Sequence, residues 1–416
     1  MTARWAAPLV AVAVAVAAVP AASAAPVTTI RVSVASDGAQ GNADSPAAVI
    51  SANGAVVAFD SDATDLSRRP DTNHAKDVFA RNLHTGVTRR VSVSSAGRQA
   101  HGTSHVIAVG RDGNLVLFSS TAANLVPDDG NGQPDVFVRN IARRTTRRVD
   151  LGPGGIEPEG VQPQFPGCCP PIGLDMSPDG RFVLFAAGDP NLLGGRCCLG
   201  IFLRDRRMRT TTTIAVSNNF VAATAARVSD GGRFVAYSLG GIGFTDFPGK
   251  TFVLDRKTGR RTRVGASVGD GSIVADIAGG GRYVLFTSYL LGTASSEVFL
   301  HDRTAGTTTH VNVSAAAPYT TGTRAASVSA NGRFVTFVSG YSGYVVGDSN
   351  GRLDVFRRDI LGATTARFSL SAAGAQLIGN STGGSMPADG GAVVFVTGAA
   401  AVAGDTNSAR DVFVRR

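Results

Sequence analysis

Four stretches of this chain place oxygen-bearing side chains at one spacing, Asp-x-Asn-x-x-x-Asp. They are Asp71, Asn73 and Asp77; Asp129, Asn131 and Asp135; Asp348, Asn350 and Asp354; and Asp405, Asn407 and Asp411. Alternating oxygens in a tight loop, with a carboxylate shortly after, suit a hard cation such as Ca²⁺. The spacing is shorter than an EF-hand loop and lacks its terminal Glu. In two copies a glycine (Gly132, Gly351) follows the Asn and eases the turn. The competing reading needs no metal, because Asp and Asn also fold such loops by bonding to their own backbone. Calcium held here would be structural rather than catalytic.

A second constellation emerges on counting back from a recurrent turn glycine (Gly54, Gly113, Gly180, Gly232, Gly281, Gly332, Gly390). Four residues before it stand Ile50, Val109, Met176, Val228, Ile277, Val328 and Met386, all apolar. Five residues before it stand Val49, Ala108, Asp175, Arg227, Asp276, Ser327 and Ser385. Alternation along a strand sends the two sets to opposite faces. The first set is expected to pack between repeats and the second to lean toward a central axis. Asp175, Arg227 and Asp276 then form either a mutually satisfied ion network or a polar ligand-binding site. Two carboxylates beside a sugar could do acid–base work, but an intervening arginine is expected to hold both ionised.

Four cysteines occur as two adjacent pairs, Cys168-Cys169 and Cys197-Cys198. In an exported protein an even count favours disulfides. Two bridges between the pairs are the favoured pattern, and vicinal bridges within each pair are the alternative. Adjacent cysteines are unlike the C-x-x-C spacing of zinc sites. The six histidines (His74, His84, His101, His105, His301, His310) are scattered and are read as surface residues. No nucleophile elbow, phosphate loop or zinc-protease motif is present.

The elements that must position these residues repeat seven times. A glycine turn leads into an apolar strand ending at Phe59, Phe118, Phe185, Tyr237, Phe286, Phe337 or Phe395. A second strand of the type Asp-Val-Phe-Val-Arg follows, centred on Phe79, Phe137, Phe202, Phe252, Phe299, Phe356 and Phe413. Self-similarity at this period signals a repeat architecture. Each repeat resolves into four strands, A to D. Six Thr-rich D strands follow a C strand, and the seventh, Thr28 to Val34, precedes the first repeat. The spacing therefore predicts an all-β, seven-bladed β-propeller whose last blade is closed by the N-terminal strand, leaving only short sheet edges. Arginine recurs in strand C (Arg81, Arg139, Arg204, Arg357), which points to a structural role. The cation-type loops fall in blades 6, 7, 1 and 2, contiguous once the ring closes, and blades 3 to 5 form a divergent arc.

Ser177-Pro-Asp-Gly-Arg-Phe-Val-Leu-Phe185 resembles the WD40-like PD40 repeat of TolB-type propellers. Ser329 to Phe337 with Asp354 to Asp359 is similar to a secreted actinobacterial branch. The resemblance implies the propeller fold over the mature chain, although TolB itself is typically six-bladed with an added N-terminal domain.

Arg4, the apolar stretch Ala6 to Val19 and Ala22-Ser23-Ala24 read as a signal peptide over residues 1–24, with the propeller over 25–416. A soluble, secreted monomer without a membrane span is expected. The formal net charge of +9 is carried mainly by arginine, since Lys76, Lys250 and Lys257 are the only lysines. The basic clusters lack interleaved aromatics, so nucleic acid is not an expected partner. The expected function is non-catalytic binding of a protein or cell-envelope ligand. The alternatives are an exported polysaccharide hydrolase or lyase with its site in the channel, and a Ca²⁺-stabilised adhesion module.

Overall fold

The computed structural model describes residues 27–416 except 128, 159–171, 189–191, 194–198, 217–222, 241–248, 267, 269–270, 290–295 and 315–321. Within these residues the chain forms seven four-stranded antiparallel sheets, each in the order A-B-C-D. Blade 1 comprises Ala47–Ile50, Val56–Ser61, Asp77–Asn82 and Thr88–Arg90. Each strand A abuts strand A of the next blade, so the seven innermost strands close a ring. The architecture is a seven-bladed β-propeller. No helix of the described residues is long and apolar enough to cross a membrane.

The N-terminal strand Thr29–Arg31 is the outer strand of blade 7 and pairs with Asp411–Arg415, with Ile30 opposite Val414. Thr28 and Arg416 extend the seam by exchanging backbone hydrogen bonds of 2.7 and 3.0 Å. The first and last residues of the propeller are thereby locked together.

The repeat survives because its aromatics meet. In every blade the aromatic of strand B lies directly opposite the Phe of strand C, from Phe59 and Phe79 to Phe395 and Phe413. Their ring centroids are 5.3–5.8 Å apart. Such pairs contribute about 0.5–1.5 kcal/mol each beyond the area they bury. Only Phe252 and Phe299 are half-buried; each packs against a blade core and is also covered by Arg261 or His310 respectively.

The turn glycine before strand B meets two demands. Gly232 has φ +70°, and a Cβ there would overlap the Phe182 ring of the preceding blade. The same overlap awaits Gly281 against Phe234 and Gly332 against Tyr283. Turn and blade packing thus both require glycine.

Strand C arginines hold one blade to the last. Arg139 donates to the Ser94 carbonyl of blade 1 and to Thr146 Oγ1, both at 3.0 Å, and Thr146 donates to the Val93 carbonyl. Arg81, Arg204 and Arg415 repeat this grip. Arg357 does not belong to the set. The residue two beyond the strand C Phe in blade 6 is Arg358, which bonds Thr365, whereas Arg357 lies over the Phe334 and Phe368 rings.

Candidate functional site

Strand A lines the channel because it is innermost, and its residues alternate between channel and blade interface. The set four residues before the turn glycine is buried at 3–7 % exposure for all members except the half-buried Val109. Met176, for example, packs among Leu117 and Val136 of blade 2 and Val183 of its own blade. The set five residues before the glycine lines a channel of about 810 Å³. Six of the seven A strands carry a bulge, and in five of these it falls immediately before that position. An extra residue there re-aims the next side chain.

Asp175, Arg227 and Asp276 therefore do face the channel together. They do not pair as an ion network. Arg227 donates through Nη1 to the Ala226 carbonyl at 2.9 Å and the Leu174 carbonyl at 3.5 Å, and makes no direct ion pair with either acid. Asp175 Oδ2 accepts the Val228 N–H of blade 4 at 2.8 Å. Asp276 Oδ2 accepts the Val328 N–H at 2.9 Å and the Ser327 hydroxyl at 3.2 Å, both from blade 6. Its Oδ1 accepts the Ile277 N–H at 2.8 Å. Ser385 plays the same part between blades 7 and 1, accepting the Ile50 N–H at 3.1 Å. These side chains tie the inner strands of blades 3 and 4, 5 and 6, and 7 and 1.

Arg227 favours the ionised form of both acids but does not offset their burial. Burial pushes Asp175 up to about 6 and outweighs Arg227 and the Val228 amide, while the charge of Asp276 pushes the same way. Asp276 is also raised, by burial first, against the Val328 amide and Arg227. The guanidinium acts only through space, and its Nη2 and Nε have no protein partner among the described residues. At the channel mouth Arg111 of blade 2 reaches across to Asp230 of blade 4, its Nη2 donating to both carboxylate oxygens at 2.7 and 2.8 Å.

The Asp-x-Asn-x-x-x-Asp loops close on protein groups. In blade 1, Asp77 meets Arg90 Nε at 3.0 Å, the Ser92 hydroxyl at 2.6 Å and Gln99 Nε2 at 2.8 Å, and Gln99 also donates to Asp71 at 2.9 Å. Asn73 accepts the Ala75 N–H and donates to the Ala100 carbonyl. Blade 6 repeats this with Arg367, Ser369 and Gln376 around Asp348 and Asp354. Blade 7 does so with Arg31, Ser33 and Gln40 around Asp405 and Asp411. A guanidinium thus supplies positive charge at the carboxylates, and the Asn folds the turn. The signal for these partners is in the sequence as Arg-x-Ser followed seven residues later by Gln, but it lies in the next strand and loop rather than beside the acids.

Blade 2 keeps the frame and changes its charge. Arg148 stands for the arginine, but Asp150 replaces the serine and Glu157 the glutamine. Arg148 approaches Asp129 at 3.7 Å and Asp150 at 3.1 Å, and also contacts Asp135 and Glu157.

Cys168, Cys169, Cys197, Cys198 and the expected signal peptide lie outside the described residues. Among the histidines, His105 Nδ1 lies 3.0 Å from the buried Asp60, His301 bonds Thr308, and His310 pairs with Glu297.

No family model and no curated protein matches the chain. Solved propellers do. The β-propeller domain of the Trilobed protease from Pyrococcus furiosus is similar over 90% of this chain and 97% of its own, at 9% identity and TM-score 0.55. An oligogalacturonate lyase in complex with manganese is similar over 94% and 96%, at 12% identity and TM-score 0.52. The oligogalacturonate lyase of Vibrio parahaemolyticus is similar over 90% of each chain, at 9% identity and TM-score 0.52. The shared feature is the fold. The archaeal domain has an open velcro topology, whereas here the N-terminal strand completes the last blade. TolB structures are also among the similar folds.

Proposed function

We propose that this protein is an exported, non-catalytic propeller that binds a protein or cell-envelope glycan, with its polar contact in the central channel. One observation carries the reading. Asp175 and Asp276 each give an oxygen to a backbone amide of the following blade, while Arg227 between them retains donors without a partner among the described residues. A guanidinium with spare N–H groups inside a walled channel suits a carboxylate or carbonyl oxygen of a ligand. The acids hold the wall that positions it.

The test is co-sedimentation of the secreted protein with insoluble cell wall and with a polysaccharide panel, alongside a search for new sugar ends. Retention without new ends, weakened at least about tenfold by Arg227→Gln, supports the reading. Retention indifferent to Arg227→Gln would move the contact away from the channel. The second reading, a polysaccharide hydrolase or lyase, is favoured by Asp175 titrating near 6, within the range useful to an acid–base group. Release of sugar ends that Asp175→Asn abolishes would replace the first reading with the second.

A further inference from the structure

The four-carboxylate pocket of blade 2 has a charge that its own protein groups do not balance. In blades 1, 6 and 7 the corresponding pocket holds two aspartates against one arginine, completed by neutral Ser and Gln side chains. In blade 2 the frame holds Asp129, Asp135, Asp150 and Glu157 against Arg148 alone. Counted as ionised carboxylates, the excess is three negative charges instead of one, and burial with the neighbouring Asp150 pushes Asp135 up to about 9, so a proton or a cation has to supply the missing positive charge. A single divalent cation would restore the value found in the three sister blades.

The geometry leaves room on the right atoms. Arg148 meets one oxygen from each of the four acids. The second oxygens of Asp135 and Asp150 are buried and meet no donor among the described residues, both residues are 0 % exposed, and the two carboxyls lie close enough to share a proton when no cation is present. Two buried carboxylate oxygens without partners are costly unless something else meets them. Asp129, Asp135 and Glu157 can each present an oxygen within 4.8 Å of the others, a span that one ion can bridge. Asn131 is not part of the set, since its Oδ1 accepts the Gln133 N–H and its Nδ2 donates to the Pro158 carbonyl. Glu157, at 30 % side-chain exposure, opens the pocket to solvent.

We propose that blade 2 binds one divalent cation on Asp129, Asp135 and Glu157, with Asp150 completing the pocket beside Arg148. An all-carboxylate donor set without sulfur or imidazole selects a hard ion, and the absence of a fixed octahedral frame favours Ca²⁺ over Mg²⁺. The site staples the strand B–C loop of blade 2 to the loop that leads into blade 3, where the regular arc meets the divergent one. It is independent of the channel and of the binding function proposed above.

The experiment is calorimetric titration of EDTA-stripped full-length secreted protein with Ca²⁺ alone and with Mg²⁺ alone, paired with melting curves. One Ca²⁺ per chain is expected, with a Kd no weaker than about the millimolar range of extracellular modules, and a rise in Tm on adding Ca²⁺. The double variant Asp150→Ser/Glu157→Gln rebuilds the sister-blade pocket and should fold on its own guanidinium. It is expected to lose at least about tenfold in Ca²⁺ affinity and the Tm response with it. Glu157→Gln alone, at the pocket rim, provides the same readout with less disturbance of the core. Absence of Ca²⁺ binding by the parent protein would overturn the proposal. So would a double variant that binds Ca²⁺ as tightly as the parent, because the ion would then sit on another loop.

Discussion

Asp175 of blade 3 accepts the backbone N–H of Val228 in blade 4 at 2.8 Å. The bond crosses from one innermost strand to the next, so a channel-facing carboxylate is also a scaffold group. A carboxylate in that position is stabilised by the amide and by Arg227, and destabilised by leaving water and by the charge of Asp276. Burial prevails, and the folded-state value rises to about 6.

The sign of the pH effect follows from that shift. The unfolded chain releases this proton near pH 4, while the folded chain holds it until about pH 6. Between those values the folded state binds more protons, so the contribution of Asp175 to stability falls as pH rises through the window. Asp175→Asn keeps an oxygen for the Val228 amide and removes the buried charge. It should therefore be more stable than the parent at pH 8, by about 2–3 kcal/mol, and converge with it at pH 4. Parallel Tm–pH curves for the two proteins would show that the channel hydrates the carboxylate fully.

Glycine at the A–B turn offers a test of the two demands separately. Gly54 and Gly232 share φ values of +71° and +70°, but only at Gly232 would a Cβ overlap a neighbouring ring. At Gly54 the nearest atom is Pro387 Cβ at an ordinary 3.5 Å. Gly54→Ala should cost about 1–2 kcal/mol for the left-handed backbone alone. Gly232→Ala should add about 1–3 kcal/mol of overpacking against Phe182. Equal losses in chemical denaturation would mean that Phe182 swings aside without cost.

Closure by the N-terminal strand can be tested in two pieces. A chain beginning after Val34 loses the pairing with Asp411–Arg415 together with the Arg31 and Ser33 contacts to Asp411. It exposes a strand edge, and concentration-dependent association is expected. A synthetic peptide spanning Val27 to Gln40 should bind it and restore the monomer on size exclusion. A truncated chain that stays monomeric and melts like the parent would show the seam to be dispensable.

The repeat, the blade count and the closing strand were legible because each blade restates one pattern, and seven copies of an apolar strand between fixed turns leave little choice of fold. The channel position of Asp175, Arg227 and Asp276 was legible for the same reason, since distance from the turn glycine fixes the face. Their chemistry was not. Whether Arg227 pairs with the acids depends on side-chain direction across a bulge, which strand alternation does not encode. The acidic loops were legible only in part. Asp77 and Gln99 are 22 residues apart and adjacent in space, so a local motif shows the acids and hides the Arg, Ser and Gln that close on them. Arg357 was grouped with Arg81 by sequence likeness, and the register with Phe356 moves it by one residue.

Arg90 is the last test, because it separates a guanidinium that stabilises the loop from one that merely fits. Its Nε lies 3.0 Å from Asp77 Oδ2, with side-chain exposures of 5 % and 1 %. Burial already pushes Asp77 upward against Ser92, Arg90 and Gln99. Arg90→Met leaves that carboxylate in the core without its countercharge, which should cost about 3–5 kcal/mol in denaturant unfolding at pH 7. Adding Asp77→Asn to that variant removes the stranded charge and should recover part of the loss, because Asn still accepts from Ser92. A double variant as unstable as Arg90→Met would show that the arginine acts through its packing on Phe79. A single variant as stable as the parent would mean that water or a proton satisfies Asp77 in its place.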